Sequence, residues 1–359
     1  MSLDLIQEAR RQAEICNACR YCEGYCSVFP ALHRERLFSD GDITQLANLC
    51  HNCRGCYYAC QYTAPHEFDL NLPKALAEVR RDSWERLAWP APLARKFHTN
   101  GTMIAAAFVL GFSVLFLAIR AIGSTSGEGF YAALPHNAMV AIFAPAFLFP
   151  LASIVVGLRR YWRSVRGGPV RRTHLAGALG MAARMRDLAA GHGDGCNFEV
   201  EDRFSHARRY AHQLIMYGFV LCFAATGAGT VMHYVFDLQA PYGLISLPKL
   251  LGVPGGLMLA VGTGWMVRLK LLSDRHVGDL RAWGGDIGFV LLLCFVSISG
   301  LALYALGSTR FMSLMLALHL GSVLTFFLLM PYTKMAHGFY RLAALVRDAQ
   351  RKQEGDRPN

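Results

Sequence analysis

Six apolar stretches dominate the chain beyond its first hundred residues: Thr102 to Ile122, His136 to Leu158, His212 to Phe236, Leu250 to Leu272, Asp286 to Leu306 and Leu314 to Tyr332. Each is near the ~20 residues with which a helix crosses a bilayer, and a segment in lipid must satisfy its own backbone hydrogen bonds. The expectation is a six-span helical bundle, with the second stretch (Pro145, Pro150) and the fourth (Pro254) the least regular. Of the 359 residues only 17% are charged, yet 36 Lys and Arg face 25 Asp and Glu. The excess has a pattern: eleven Arg lie between Arg159 and Tyr210, four Lys or Arg between Arg268 and Gly284, and six from Lys334 onward, whereas the alternate loops hold only Arg120, Lys249 and Arg310. The positive-inside bias then places both termini and the two basic loops in the cytoplasm, as an even number of spans requires. A multi-pass protein of a bacterial inner membrane is expected, and the basic residues need no nucleic-acid partner.

The other concentration is of cysteine, with eight of the eleven between Cys16 and Cys60. The chain opens MSLDLIQEARRQAEIC, without the apolar core of a signal peptide, so these thiols are expected in a reducing cytosol, where they read as metal ligands rather than disulfides. Cys16, Cys19, Cys22 and Cys26 form C-x2-C-x2-C-x3-C, and Cys50, Cys53, Cys56 and Cys60 repeat it 34 residues on. Three equally spaced cysteines can wrap one cubane while the fourth reaches to the other. One [4Fe-4S] cluster is therefore assigned to Cys16, Cys19, Cys22 and Cys60, and a second to Cys50, Cys53, Cys56 and Cys26. Four-cysteine zinc sites would use paired C-x2-C knuckles and leave the third spaced Cys unexplained. The Pro that usually follows the fourth Cys is missing, with Pro30 and Pro65 arriving later. Cys222 and Cys294 read as small apolar span residues, and Cys196, near His192, as a bystander or a minor metal site. Helices are predicted over Asp4 to Ile15, Asp42 to Leu49 (capped by Asp40 or Asp42) and Pro73 to Leu87, with no strand pattern. Residues 1–97 thus form an all-helical cluster domain, 98–342 the membrane domain with its cytoplasmic loop 159–210, and 343–359 a tail.

Ionisable groups inside spans are costly and usually functional. His212 and His233 sit at the two ends of the third stretch, His319 and His337 at the two ends of the sixth. At ~1.5 Å and 100° per residue, 21 and 18 positions cover about the hydrocarbon thickness and keep each pair on one side of its helix. Opposed helix directions would let His212 meet His337 and His233 meet His319, giving two bis-histidine haem b sites; Gly218, Gly227, Gly229 and Gly321 would either leave room for macrocycles or let the helices pack closely. His206 falls on the wrong face, and His98 and His136 lack equally good partners. No C-x-x-C-H is present for covalent haem. No dinucleotide fingerprint or Walker motif is found outside the spans, so no flavin or nucleotide site, and no substrate-dehydrogenase site, is expected in this chain.

The stretches CNACRYCEGYC, LANLCHNCRGCYYACQY with PHEFDLNLP, YGFVLCFAATG with MHY, and ALHLGSVL to MPYTKMAHGFYR resemble the tricarballylate-utilisation protein B family over nearly the whole chain. The first part is also similar to the α-helical ferredoxin domains of succinate dehydrogenase and heterodisulfide reductase, and the histidine-bearing spans to the cytochrome b subunit of nitrate reductase. The resemblance implies a partner flavoprotein that oxidises tricarballylate to cis-aconitate. This chain would re-oxidise its FADH2 and pass the electrons through clusters and haem to quinone. A related arrangement serves cobalamin-ring oxidation, so a different flavoprotein is the alternative. A transporter would want broken helices and polar midplane groups, and a redox sensor would want an output module.

Overall fold

The computed structural model describes residues 3–122, 135–189, 195–197, 204–238, 242–243 and 245–355. Among these the protein is all-helical, with one isolated β-bridge, Cys196 to Ser205. Five helices make the cysteine module: α1 (Leu3–Cys19), α2 (Val28–His33), α3 (Asp40–Leu49), α4 (Gly55–Tyr58) and α5 (Leu72–Leu87). The cap of α3 is Ser39, one residue earlier than expected: its Oγ accepts from the Asp42 N–H, and the Asp42 carboxylate accepts from the Ser39 N–H. Asp42 thus serves as the return arm of a capping box. Asn71 caps α5, and Pro73 occupies its first turn as expected.

Six helices are long and apolar enough to span a membrane: α6 (Ala91–Ile122), α7 (His136–Ser164), α9 (Ala207–Phe236), α10 (Leu247–Leu272), α11 (Trp283–Leu306) and α12 (Met312–Leu329). The prolines of α7 and α10 lie inside continuous helices. The loop after α7 carries α8 (Arg172–Arg184), and the chain ends in α13 (Ala336–Gly355). The sixth span differs from expectation. Pro331 has no N–H for the carbonyl four residues back, so α12 stops at Leu329, a 3₁₀ turn covers Met330–Tyr332, and Thr333 is extended. His319 and His337 therefore lie on separate helices, and the 18-residue same-face argument does not apply to them.

The core of the cysteine module is extended by helices from the rest of the chain. Ile43, Leu46, Leu76 and Trp84 pack in one buried cluster with Tyr161 and Val165 at the end of α7, Ala178 of α8, and Tyr340, Ala344 and Leu345 of α13. Tyr161 donates to Gln45 Oε1, and Gln45 Nε2 donates to the Ala344 carbonyl at 2.7 Å. Arg351 of α13 pairs with both Glu35 and Asp42, and Arg34 pairs with Asp348, whose side chain is only 2% exposed. Removing one partner of a buried ion pair costs up to about 3–5 kcal/mol, and the Arg351 side chain is 16% exposed. Arg351→Ala is accordingly expected to lower the unfolding midpoint of the purified protein and to open α13 to protease, whereas Arg36→Ala, at an exposed position, changes neither. The start of α9 and the loop after α10 also reach the module, through Arg208 to the carbonyls of His51 and Asn52 and through Asp279 to Arg81. The module, both basic loops and α13 thus gather at one end of the six-helix bundle.

Candidate functional site: two cysteine sets above a histidine pair

The two motif loops are bent by residues in the left-handed region, Arg20 (φ 58°) in the first, Asn52 (φ 51°) and Arg54 (φ 65°) in the second. Such turns aim successive N–H groups into a concavity. Two of these N–H groups meet sulfur: Asn52 N–H points at Cys50 Sγ (3.3 Å) and Tyr62 N–H at Cys60 Sγ (3.4 Å), the environment that stabilises thiolate ligands. Cys16, Cys19, Cys22 and Cys60 line one cavity of about 200 Å³, which Cys56 also reaches. Burial first, and then the neighbouring thiols Cys60 and Cys19, push the thiols of Cys16 and Cys22 up to about 12. Burial, followed by Cys53 and Cys50, pushes Cys26 well up, and Cys56 responds in the same way to Cys53 and Cys26. Cys26 therefore lies with the second triad and Cys60 with the first. Among the described residues no three His, Cys, Asp or Glu side chains form a single-ion site. A cubane instead takes one thiolate at each of four iron corners.

A raised thiol is a protonated thiol at neutral pH. A thiol at about 12 is ionised roughly a thousandfold less at pH 8 than an ordinary one near 8.5. Alkylation of Cys16 and Cys22 in metal-free protein is expected to be at least ~100-fold slower than that of free cysteine at pH 8, and to accelerate about tenfold per pH unit above it. Mass-spectrometric rates would check this.

Cys196 has a role that the sequence reading missed. Its side chain is 1% exposed, its thiol donates to the Leu188 carbonyl (3.2 Å), and the Asn197 N–H donates to the Cys53 carbonyl (3.0 Å). A hydrogen bond between Cys53 and Cys196, then burial, raises the Cys53 thiol. The second cysteine set is thus backed by the large basic loop, although no spacing rule could have joined residue 53 to residue 196. His192 lies outside the described residues.

Of the four span histidines, His212 and His337 come together, with ring centroids 5.8 Å apart and planes at 82°. The Nδ1–H of His337 donates to the Lys334 carbonyl, which leaves Nε2 as its lone-pair nitrogen, and Nδ1 of His212 is buried without a partner. A ring fixed by one N–H with its other nitrogen bare is the usual state of a metal-ligating histidine. His233 and His319 are not brought together in that way. His233 stacks on His136 at 4.3 Å, the residue expected to lack a good partner, and His136 also bonds Tyr234 (2.8 Å). His319 lines a separate cavity of about 320 Å³ among α9, α10, α11 and α12, with Phe223, Gly252, Gly256 and Tyr304. Its Nδ1 is 3.2 Å from Ser299 Oγ, whose own proton goes to the Val296 carbonyl. Nδ1 is therefore the donor and Nε2 the free acceptor. Two of the span glycines let the helices pack closely: Gly218 lies against the α10 backbone and Gly321 against Ser113 of α6.

The model of the citrate utilization protein B family matches residues 90–358, and that of its Fer4-like domain matches residues 9–85, a range that includes all eight clustered cysteines. The chain belongs to the citrate utilization protein B family. Citrate utilization protein B of Escherichia coli is 41% identical over 356 residues, covering 97% of this chain and 93% of its own. No solved structure matches. As a member of this family with a Fer4-like domain, the chain has an iron-sulfur electron-transfer module joined to a bundle of six apolar helices.

Proposed function

We propose that the protein is the membrane electron carrier of a flavoprotein dehydrogenase that acts on a tricarboxylate such as tricarballylate, re-oxidising its FADH2 at the expense of quinone. Cys16, Cys19, Cys22 and Cys60 would hold one [4Fe-4S] cluster, Cys50, Cys53, Cys56 and Cys26 the other, and His212 and His337 a b-type haem. When bound, these groups supply one-electron carriage, which divides the electron pair of a reduced flavin into single steps. The observation that carries the reading is the placement of the second cysteine loop against the His337 end of the bundle, where Arg341 of α13 donates to the carbonyls of Leu49 and Cys50. The geometry supports one bis-histidine site, not the two expected. The apolar cavity at His319 suits a quinone ring, and its bare Nε2 can accept the O–H of the quinol product. The basic loops argue for cytoplasmic termini in a bacterial inner membrane.

Optical and EPR spectra of the dithionite-reduced protein test this directly: a b-type α band and cubane signals are expected, and the absence of either removes that part of the proposal. His212→Ala and His337→Ala should each abolish the α band. His319→Ala should keep it while quinone reduction falls by at least ~10-fold, the scale of a lost positioned hydrogen-bonding group; loss of the band in His319→Ala would show a second haem instead.

A further inference from the structure

The cavity at His319 has an acceptor to spare, the Nε2 of that ring, whereas the two carbonyls of an oxidised quinone are acceptors themselves. Nε2 can therefore hold a quinol through its O–H but not the quinone. A quinone needs a donor, and two wall hydroxyls have already given theirs: Thr226 donates to the Cys222 carbonyl (3.2 Å) and Ser297 to the Cys294 carbonyl (2.9 Å). Among the described residues one cation lines the cavity, Lys249 of α10, whose ammonium lies 5.3 Å from the centre of the Tyr304 ring. It stands in the first turn of α10, which has no acidic residue, and the positive end of the helix dipole disfavours a cation there. The His319 ring lies against Gly300 of α11, where an added Cβ would be 2.9 Å from its Cε1. Tyr304 is one turn further along the same helix, ~6 Å away. The donor thus lies beyond the acceptor on the scale of one six-membered ring.

We propose that Lys249 is the quinone-binding donor of this cavity, its ammonium giving a charge-assisted hydrogen bond to one carbonyl of the oxidised ring. This rests on the quinone reading above. Lys249 and His319 divide the two redox states of one ligand between them, Lys249 holding the quinone by donating and His319 the quinol by accepting. The Tyr304 ring supports the ammonium through its π face, and Gly300 leaves the space in which the His319 ring lies.

The test measures the binding of decylubiquinone and menadione to the full-length protein in nanodiscs. The quinones are offered to the oxidised protein and their quinols to the dithionite-reduced protein, so that no electron moves during the titration. Lys249→Gln is expected to weaken both quinones at least ~10-fold, the scale of a hydrogen bond to a charged group, and the quinols far less. Lys249→Arg should restore quinone binding. His319→Ala should show the reverse pattern, with the quinols weakened and the quinones kept. Tyr304→Phe, which retains the ring under the ammonium, should match the parent. A loss in Tyr304→Phe without one in Lys249→Gln would give the role to the phenol hydroxyl and overturn the assignment. Quinone affinity unchanged in Lys249→Gln, or lost equally for quinone and quinol, would also overturn it and leave the quinone reading standing. No binding of either quinone to the unaltered protein would overturn the quinone reading and this inference with it.

Discussion

Cys60→Ser is expected to remove the cluster assigned to Cys16, Cys19 and Cys22, and Cys26→Ser to remove the one assigned to Cys50, Cys53 and Cys56. Each variant should lose about half of the iron of two four-iron cubanes. The exchange is the informative part, because a motif read as a self-contained unit would assign the losses the other way round. Cys60 lines the cavity of the first triad, and Cys26 responds most, after its burial, to Cys53 and Cys50. The two signals should be separable by EPR. The first site is the more open, Cys19 being exposed, whereas Cys50 and Cys53 are buried. Cluster loss in Cys26→Ser should therefore also perturb the b-type spectrum through the loop beside His337, and loss in Cys60→Ser should leave it unchanged. If Cys60→Ser instead removed the buried cluster, the pairing would be wrong.

The eight cysteines and the six spans were legible because each is a local signal, a spacing in one case and a hydropathy run in the other. What the sequence could not convey depends on which helices become neighbours. His337 meets His212 as the histidine arithmetic requires, yet by a different route: Pro331 ends α12, and the ring arrives on α13, a helix that also seals the core of the cysteine module. Equal spacing along an uninterrupted helix reached the right partner by an argument that the chain does not use. For His233 the same arithmetic put it beside His319, and the ring stacks on His136 instead. Two histidines at the same membrane depth can meet only if their helices are adjacent, and adjacency is set by packing rather than by depth.

The use of the span glycines stayed open in the sequence for a related reason. A small residue in a span reads equally well as space for a cofactor and as a site of helix contact, and only the neighbouring atoms decide. A Cβ on Gly255 would lie 2.8 Å from Leu221 Cβ and 3.0 Å from the Gly218 carbonyl oxygen, and one on Gly218 would lie 2.7 Å from the Leu259 nitrogen. These contacts are with backbone or with Cβ, which no rotamer change relieves.

Gly255→Leu is therefore expected to force α9 away from α10 at a cost of at least ~3 kcal/mol, the upper end of overpacking penalties in close-packed interiors. Because α9 carries His212 and both helices wall the His319 cavity, the damage should extend beyond stability. The b-type band should weaken and quinone reduction should fall even in molecules that remain folded. Gly227→Leu is the control. It lies on the same helix, nothing approaches within 4 Å of its Cβ position, and an added side chain there meets lipid, so its effect should stay within about 0.5 kcal/mol. Thermal unfolding in detergent, read alongside haem retention, separates the two. A Gly255→Leu protein that melts with the parent and keeps its haem would mean that α9 and α10 are not packed as closely as their glycines allow, and would remove the support that this contact gives to the position of His212.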